Sequence, residues 1–133
     1  MADSSNTSAW QSGVFNLDVP SVVRSSDVVL QRANFPASQS LGLGNGTLGA
    51  AVWASSGLTV QLNRADTLPN RLSPGTLTIP ALSALSGAPD FHATLDLYTA
   101  TLTESGGGLT ATIYVNAVKD ELVVDVTGAS PST

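Results

Sequence analysis

The chain has 133 residues, a net charge of −5 and only 11% charged residues. That is enough for one domain with a modest core and a polar but weakly charged surface, well below the usual charged fraction of about a quarter. Its basic residues, Arg24, Arg32, Arg64, Arg71 and Lys119, are scattered and outnumbered by ten acids, which argues against a nucleic-acid partner. There is no cysteine, so disulfides and thiolate metal sites are excluded, and no apolar run approaches membrane-spanning length.

In chain order, residues 1–12 read as a flexible polar segment with no basic start and no apolar centre, unlike a signal peptide. They resemble a mature N-terminus behind a start methionine, which points to an exported, extracytoplasmic protein. Residues 12–19 alternate weakly and stop at Pro20, and Val28-Val29-Leu30 forms a short apolar strand. The pattern predicts a hairpin from strands at 48–54 and 58–63, with Trp53 in the core. A short strand at 77–79 is closed by Pro80, and 80–89 is a loop or one helical turn. Strands follow at 92–98, 99–104, 109–115 and 121–127, with a glycine-rich tip at 105–108. No window shows sustained helical periodicity. The expectation is an all-β fold, an antiparallel β-sandwich of short strands over 13–127, followed by a linker-like tail at 128–133.

The densest local signal is Gly42-Leu43-Gly44-Asn45-Gly46-Thr47-Leu48-Gly49-Ala50. Gly44, Gly46 and Gly49 match the dinucleotide-binding spacing, but that site needs a strand before it and a helix after it. Here a strand-like run follows, so the match reads as accidental and the segment as a tight reversal into a hairpin. Gly44, Asn45, Gly46 and Gly49 are its structural residues, with positive φ expected at Gly44, Asn45 or Gly46.

Candidate chemistry is sparse. His92, the only histidine, reads as a surface residue beside Phe91, and no Gly-x-Ser-x-Gly elbow is present. Asp18, Asp27, Asp96 and Asp120 form no calcium-loop spacing, so no metal or cofactor is expected. Asp120 and Glu121 are neighbours that point to opposite strand faces, not a facing acid pair for sugar hydrolysis. Trp10 is either exposed or a plug folded back onto a sheet. Asn63, Arg64 and Asp66 form the best polar cluster. Either Asp66 caps its own loop backbone, or the loop supports an active-site mouth in another domain.

The glycine turn, followed by Gln61-Leu62-Asn63-Arg64-Ala65-Asp66-Thr67-Leu68, resembles the N-terminal β-domain of glycoside hydrolase family 95 and related enzymes. There a GNG-x-LGA turn and strand precede a QLN-x-D-T-L strand. Leu95-Asp96-Leu97 resembles the family's later LDL strand, and Pro69 stands where the family usually has tryptophan. The resemblance spans roughly 27–127. It implies a β-domain that precedes a helical (α/α)6 barrel holding the catalytic carboxylate, so no catalytic residue is assigned to this chain. The implied partner is a catalytic domain of the same parent chain, with Trp10, Asn63, Arg64 and Asp66 as sugar or interdomain contacts. A free-standing carbohydrate-binding module is the alternative, and an adhesive β-domain a third. Weak self-association is expected through a patch of Leu41, Leu43, Leu68 and Leu72.

Overall fold

The computed structural model describes residues 10–55, 57–67, 69 and 73–128. The predicted flexible segment (as far as residue 9), the tail (from residue 129) and three named residues, Leu68, Arg71 and Leu72, lie outside that set. The described strands are β1 (Trp10–Gln11), β2 (Val14–Phe15), β3 (Val28–Leu30), β4 (Leu41–Gly44), β5 (Leu48–Trp53), β6 (Leu58–Arg64), β7 (Gly75–Ile79), β8 (His92–Asp96), β9 (Thr101–Gly106), β10 (Leu109–Val115) and β11 (Leu122–Thr127). Two short helices, α1 (Val19–Arg24) and α2 (Ser83–Ser86), and 3-10 turns at Ala37–Gln39 and Pro80–Leu82 complete them.

The fold is all-β and sandwich-like. Among the described residues, every strand pairing is antiparallel, in a five-stranded sheet ordered β11-β10-β9-β8-β3, a four-stranded sheet ordered β4-β5-β6-β7, and the β1–β2 hairpin. The core follows from the two-residue period of a strand. On β5, Leu48, Ala50 and Val52 are buried while their neighbours are half-buried. Ala50 pairs with Leu43 and Leu62, and Val52 with Leu41 and Val60, on the flanking strands. In the other sheet, Leu95, Leu102 and Ile113 lie side by side across three strands, and the two layers form one apolar cluster. Fully burying a side chain such as Leu102 or Ile113 stabilises by about 1.5–3 kcal/mol.

The same period corrects two expectations. Trp53 follows buried Val52, so it lies on the opposite face of β5 and is half-buried, not core. Leu43 pairs with Ala50 inside the core, so it is not an exposed member of the expected leucine patch, of which Leu68 and Leu72 lie outside the described residues. The weak alternation at 12–19 is also misleading: only Val14 and Phe15 are strand, and α1 begins at Val19. The helix starts there because the Asp18 carboxylate accepts from Ser21 N–H and Ser21 Oγ–H, and Pro20 occupies the first turn. Its end is tied to the β8–β9 turn by Arg24 Nε donating to Asp96 at 3.1 Å and stacking 5.2 Å from the Tyr98 ring centre.

The expected 105–108 tip is shorter, because Gly106 closes β9. A Cβ there would lie 2.8 Å from Leu85 O, so only glycine lets α2 sit directly on β9. At the motif turn, of Gly44, Asn45 and Gly46, only Gly46 has positive φ, at +96°. Gly44 is instead closely approached by backbone: a Cβ there would lie 3.0 Å from Leu48 O. Gly49 sits within β5, where a Cβ would lie an ordinary 3.9 Å from Asn63 O. No helix follows the glycines, which removes the dinucleotide reading. Open space surrounds Gly46, so its substitution acts through φ alone. Gly46→Val is expected to lower stability by about 1 kcal/mol or more. Chemical denaturation checks this, and an unchanged midpoint would contradict the turn assignment.

Candidate functional site

The motif residues converge on one end of the molecule. The β4–β5 turn is held locally by Asn45 Oδ1, which accepts from Thr47 N–H at 3.0 Å and Leu48 N–H at 2.8 Å. That leaves Nδ2 pointing outward to the β10–β11 loop of the other sheet. It donates to Asn116 O at 2.9 Å, Lys119 O at 3.3 Å and Asp120 Oδ1 at 3.1 Å. The receiving loop is itself set by Asn116, whose Oδ1 accepts from Val118 N–H and Lys119 N–H.

Arg64, last residue of β6, continues the network. Its Nε and Nη2 grip the two Asp66 oxygens at 2.9 and 2.7 Å, and Nη2 also lies 3.1 Å from Asp120 Oδ2. Asp120 therefore bridges Asn45 and Arg64. The Arg64 guanidinium, hydrogen-bonded first, holds the Asp66 carboxyl below its usual range, and in return Arg64 is held even more firmly protonated, chiefly by Asp66. Asp66 is thus a partner of Arg64 through its side chain; the loop hydroxyl that bonds back to Arg64 O is Thr67 Oγ1, at 3.1 Å. Asn63 is exposed opposite Gly49, and its side chain makes no hydrogen bond among the described residues.

Trp10 stands in the separate β1–β2 hairpin. It is 56% exposed and packs edge-to-face on Phe15 with ring centres 5.4 Å apart. The hairpin turn is Ser12–Gly13, both with positive φ, so the boundary drawn between residues 12 and 13 falls inside a paired unit. His92 is exposed at the start of β8, with Nε2 3.3 Å from Thr94 Oγ1. The four aspartates weighed for calcium are spread over separate contacts: Asp18 caps α1, Asp27 Oδ1 accepts from Leu97 N–H, Asp96 holds Tyr98 and Thr99 N–H, and Asp120 joins Arg64. No group of three acid, histidine or cysteine side chains able to hold a metal occurs among the described residues.

One acid carries no sequence motif. Glu104 is 2% exposed and faces the core between Ala93 and Ala111 on neighbouring strands, with Oε1 unpartnered among the described residues. Its position was readable, since Leu102 and Gly106 flank it at the inward period of β9. Desolvation pushes its carboxyl up to about 7. No family model, curated protein or solved structure matches the chain. The likeness to glycoside hydrolase family 95 thus rests on the sequence motifs.

The Glu104 shift fixes the sign of a pH effect. Between the ordinary value of 4.5 and about 7, the folded chain holds a proton that the unfolded chain has lost. This contribution is full below 4.5 and disappears as pH rises through about 7. It amounts to on the order of 3 kcal/mol. Asp18, Asp66 and Asp96, all held low, act oppositely and only as pH falls below their ordinary 3.8. Glu104→Leu is expected to flatten stability across the upper window and to exceed wild type at pH 8 by about 1–3 kcal/mol. Denaturation series from pH 4.5 to 8 check it; a wild-type stability that is flat over that range would contradict the assignment.

Proposed function

We propose that the chain is a non-catalytic β-domain of an exported glycoside hydrolase, docking on the catalytic domain of the same parent chain. The observation that supports this most is the run of exposed apolar side chains at its N-terminal end. Trp10, Val14, Phe15, Leu17, Val19 and Val22 are all exposed within thirteen residues of chain. Scattered apolar residues are normal on a surface, but six so close in sequence favour a partner of similar character. The polar cluster supports the same reading from the other side. Among the described residues, Asp66 and Asp120 are held in ion pairs with Arg64 and Glu104 is closed off from solvent, so these three acids are occupied by the fold.

On this reading Trp10 belongs to the docking face. The alternative, a free-standing carbohydrate-binding module, is favoured by the same exposed Trp10 and Phe15 rings, whose faces could stack on a pyranose.

Two measurements test the proposal. The chain alone is expected to release nothing from aryl fucosides, galactosides or arabinosides; turnover abolished by replacing one of its acids would overturn the reading. Sedimentation over a concentration series is expected to show weak self-association through the face left uncovered. Trp10→Ser with Phe15→Ser should reduce it at least tenfold. A clean monomer at millimolar concentration would contradict the docking face and favour the self-contained module.

A further inference from the structure

We propose that the groove between β3 and the 3-10 turn at Ala37–Gln39 binds a small hydroxylated carboxylate, such as the terminal uronic acid of a polysaccharide. The groove encloses about 640 Å3 and is lined by Val29, Leu30, Gln31, Arg32, Asn34 and Gln39, with Ala33 in its wall. Small-molecule sites typically measure about 300–1,000 Å3, apolar walls with a few convergent polar groups. Here the polar groups are one cation and three amides.

The cation is the first argument. Each of the other described basic residues has an acid: Arg24 has Asp96, Arg64 has Asp66 and Asp120, and Lys119 has Glu121 at 4.0 Å. Arg32 alone among the described residues forms no ion pair, in a chain with twice as many acids as bases. A guanidinium offers a planar fork that matches a carboxylate with two parallel hydrogen bonds. An unpaired one on the rim of a groove selects for an anion of that shape.

The second argument is independent and concerns Asn34, which is 4% exposed. Its Nδ2 is fully used, donating to Gln39 O at 3.0 Å and Val52 O at 3.1 Å, while its main-chain oxygen accepts from Ala54 N–H at 3.1 Å. These bonds fix the amide and leave Oδ1 without a partner. Buried acceptors are nearly always satisfied, so this one marks a place for a donor. A ligand hydroxyl supplies it. Oδ1 is closed to water as the groove stands, so the lining must open locally for the hydroxyl to reach it; Gln31 and Gln39, both exposed, line the same groove. Their amides can then bond further hydroxyls. Charge, unpaired acceptor and amides together describe a molecule with one carboxylate and several hydroxyls. The proposal stands whether or not the domain serves an enzyme.

The test is titration of the isotopically labelled chain, read at the side-chain resonances of Asn34 and Arg32. The probes are D-glucuronate, D-gluconate and D-glucose, which separate ring acid, open-chain acid and neutral ring. Glucuronate at millimolar concentration is expected to shift both resonances saturably, and glucose to leave them in place. Arg32→Gln, an exposed substitution that removes no side-chain hydrogen bond or ion pair among the described residues, should weaken glucuronate binding at least tenfold. Equal response to gluconate supports the shared hydroxy-acid chemistry, and response to glucuronate alone supports the sugar acid. No shift with either acid, an equal response to glucose, or undiminished binding by Arg32→Gln overturns the proposal.

Discussion

The side-chain amide of Asn45 joins the two sheets, and much of the arrangement at that end depends on it. One oxygen holds the β4–β5 turn, and the nitrogen crosses to three acceptors in the loop between β10 and β11. An amide is the side chain this position needs, since it combines an acceptor and two donors in one plane. Asn34 does comparable work at the far end of β5, its side-chain nitrogen donating to Val52 O while its main-chain oxygen accepts from Ala54 N–H. The central strand of the sandwich is thus fastened near both ends by an asparagine, and the apolar contacts between the layers operate within that frame. Hydrophobic burial supplies most of the free energy, while these directional bonds set which residues face each other.

The frame explains how the polar residues of the motif are used. Arg64 and Asp120 extend the Asn45 network, and the Asp66 carboxyl that Arg64 grips is held in its charged form, unsuited to donating a proton to a leaving group. Asn45, Arg64, Asp66 and Asp120 at that end are therefore tied to one another and to nearby backbone. Among the described residues, the buried side-chain atoms left without a hydrogen bond lie elsewhere: Glu104 Oε1 inside the core, and Asn34 Oδ1 at the groove beside β3.

The strands were largely legible in the sequence, because glycine, proline and asparagine punctuate runs of alternating apolar residues. Val28–Leu30 and Leu109–Val115 fall where the pattern places them, and the β5–β6 hairpin differs only at its ends. Trp53 and Leu43 were misassigned because size and apolarity outweighed phase; counting by twos from Leu48 puts Trp53 outside and Ala50, the partner of Leu43, inside. The helix at Val19 was hidden by its length, six residues being too few to show a period, although Asp18 and Pro20 are start signals. The cluster of Arg64 and Asp66 was visible as neighbours in sequence. Its link to Asn45 and Asp120 was not, because that contact joins positions more than fifty residues apart through sheet packing. Asn34 offered no local signal at all.

The most direct test of the Asn45 account is the stability of Asn45→Asp. Aspartate keeps the oxygen that holds Thr47 and Leu48 N–H, so the local turn is preserved. It replaces the donor with a second oxygen facing Asn116 O, Lys119 O and Asp120 Oδ1, all acceptors. If the amide joins the sheets, chemical denaturation at pH 7 will show a loss of roughly 2 kcal/mol or more, no smaller than that of Asn45→Ala. A variant within about 0.5 kcal/mol of wild type would mean that Asn45 serves its own turn alone, and would contradict the account.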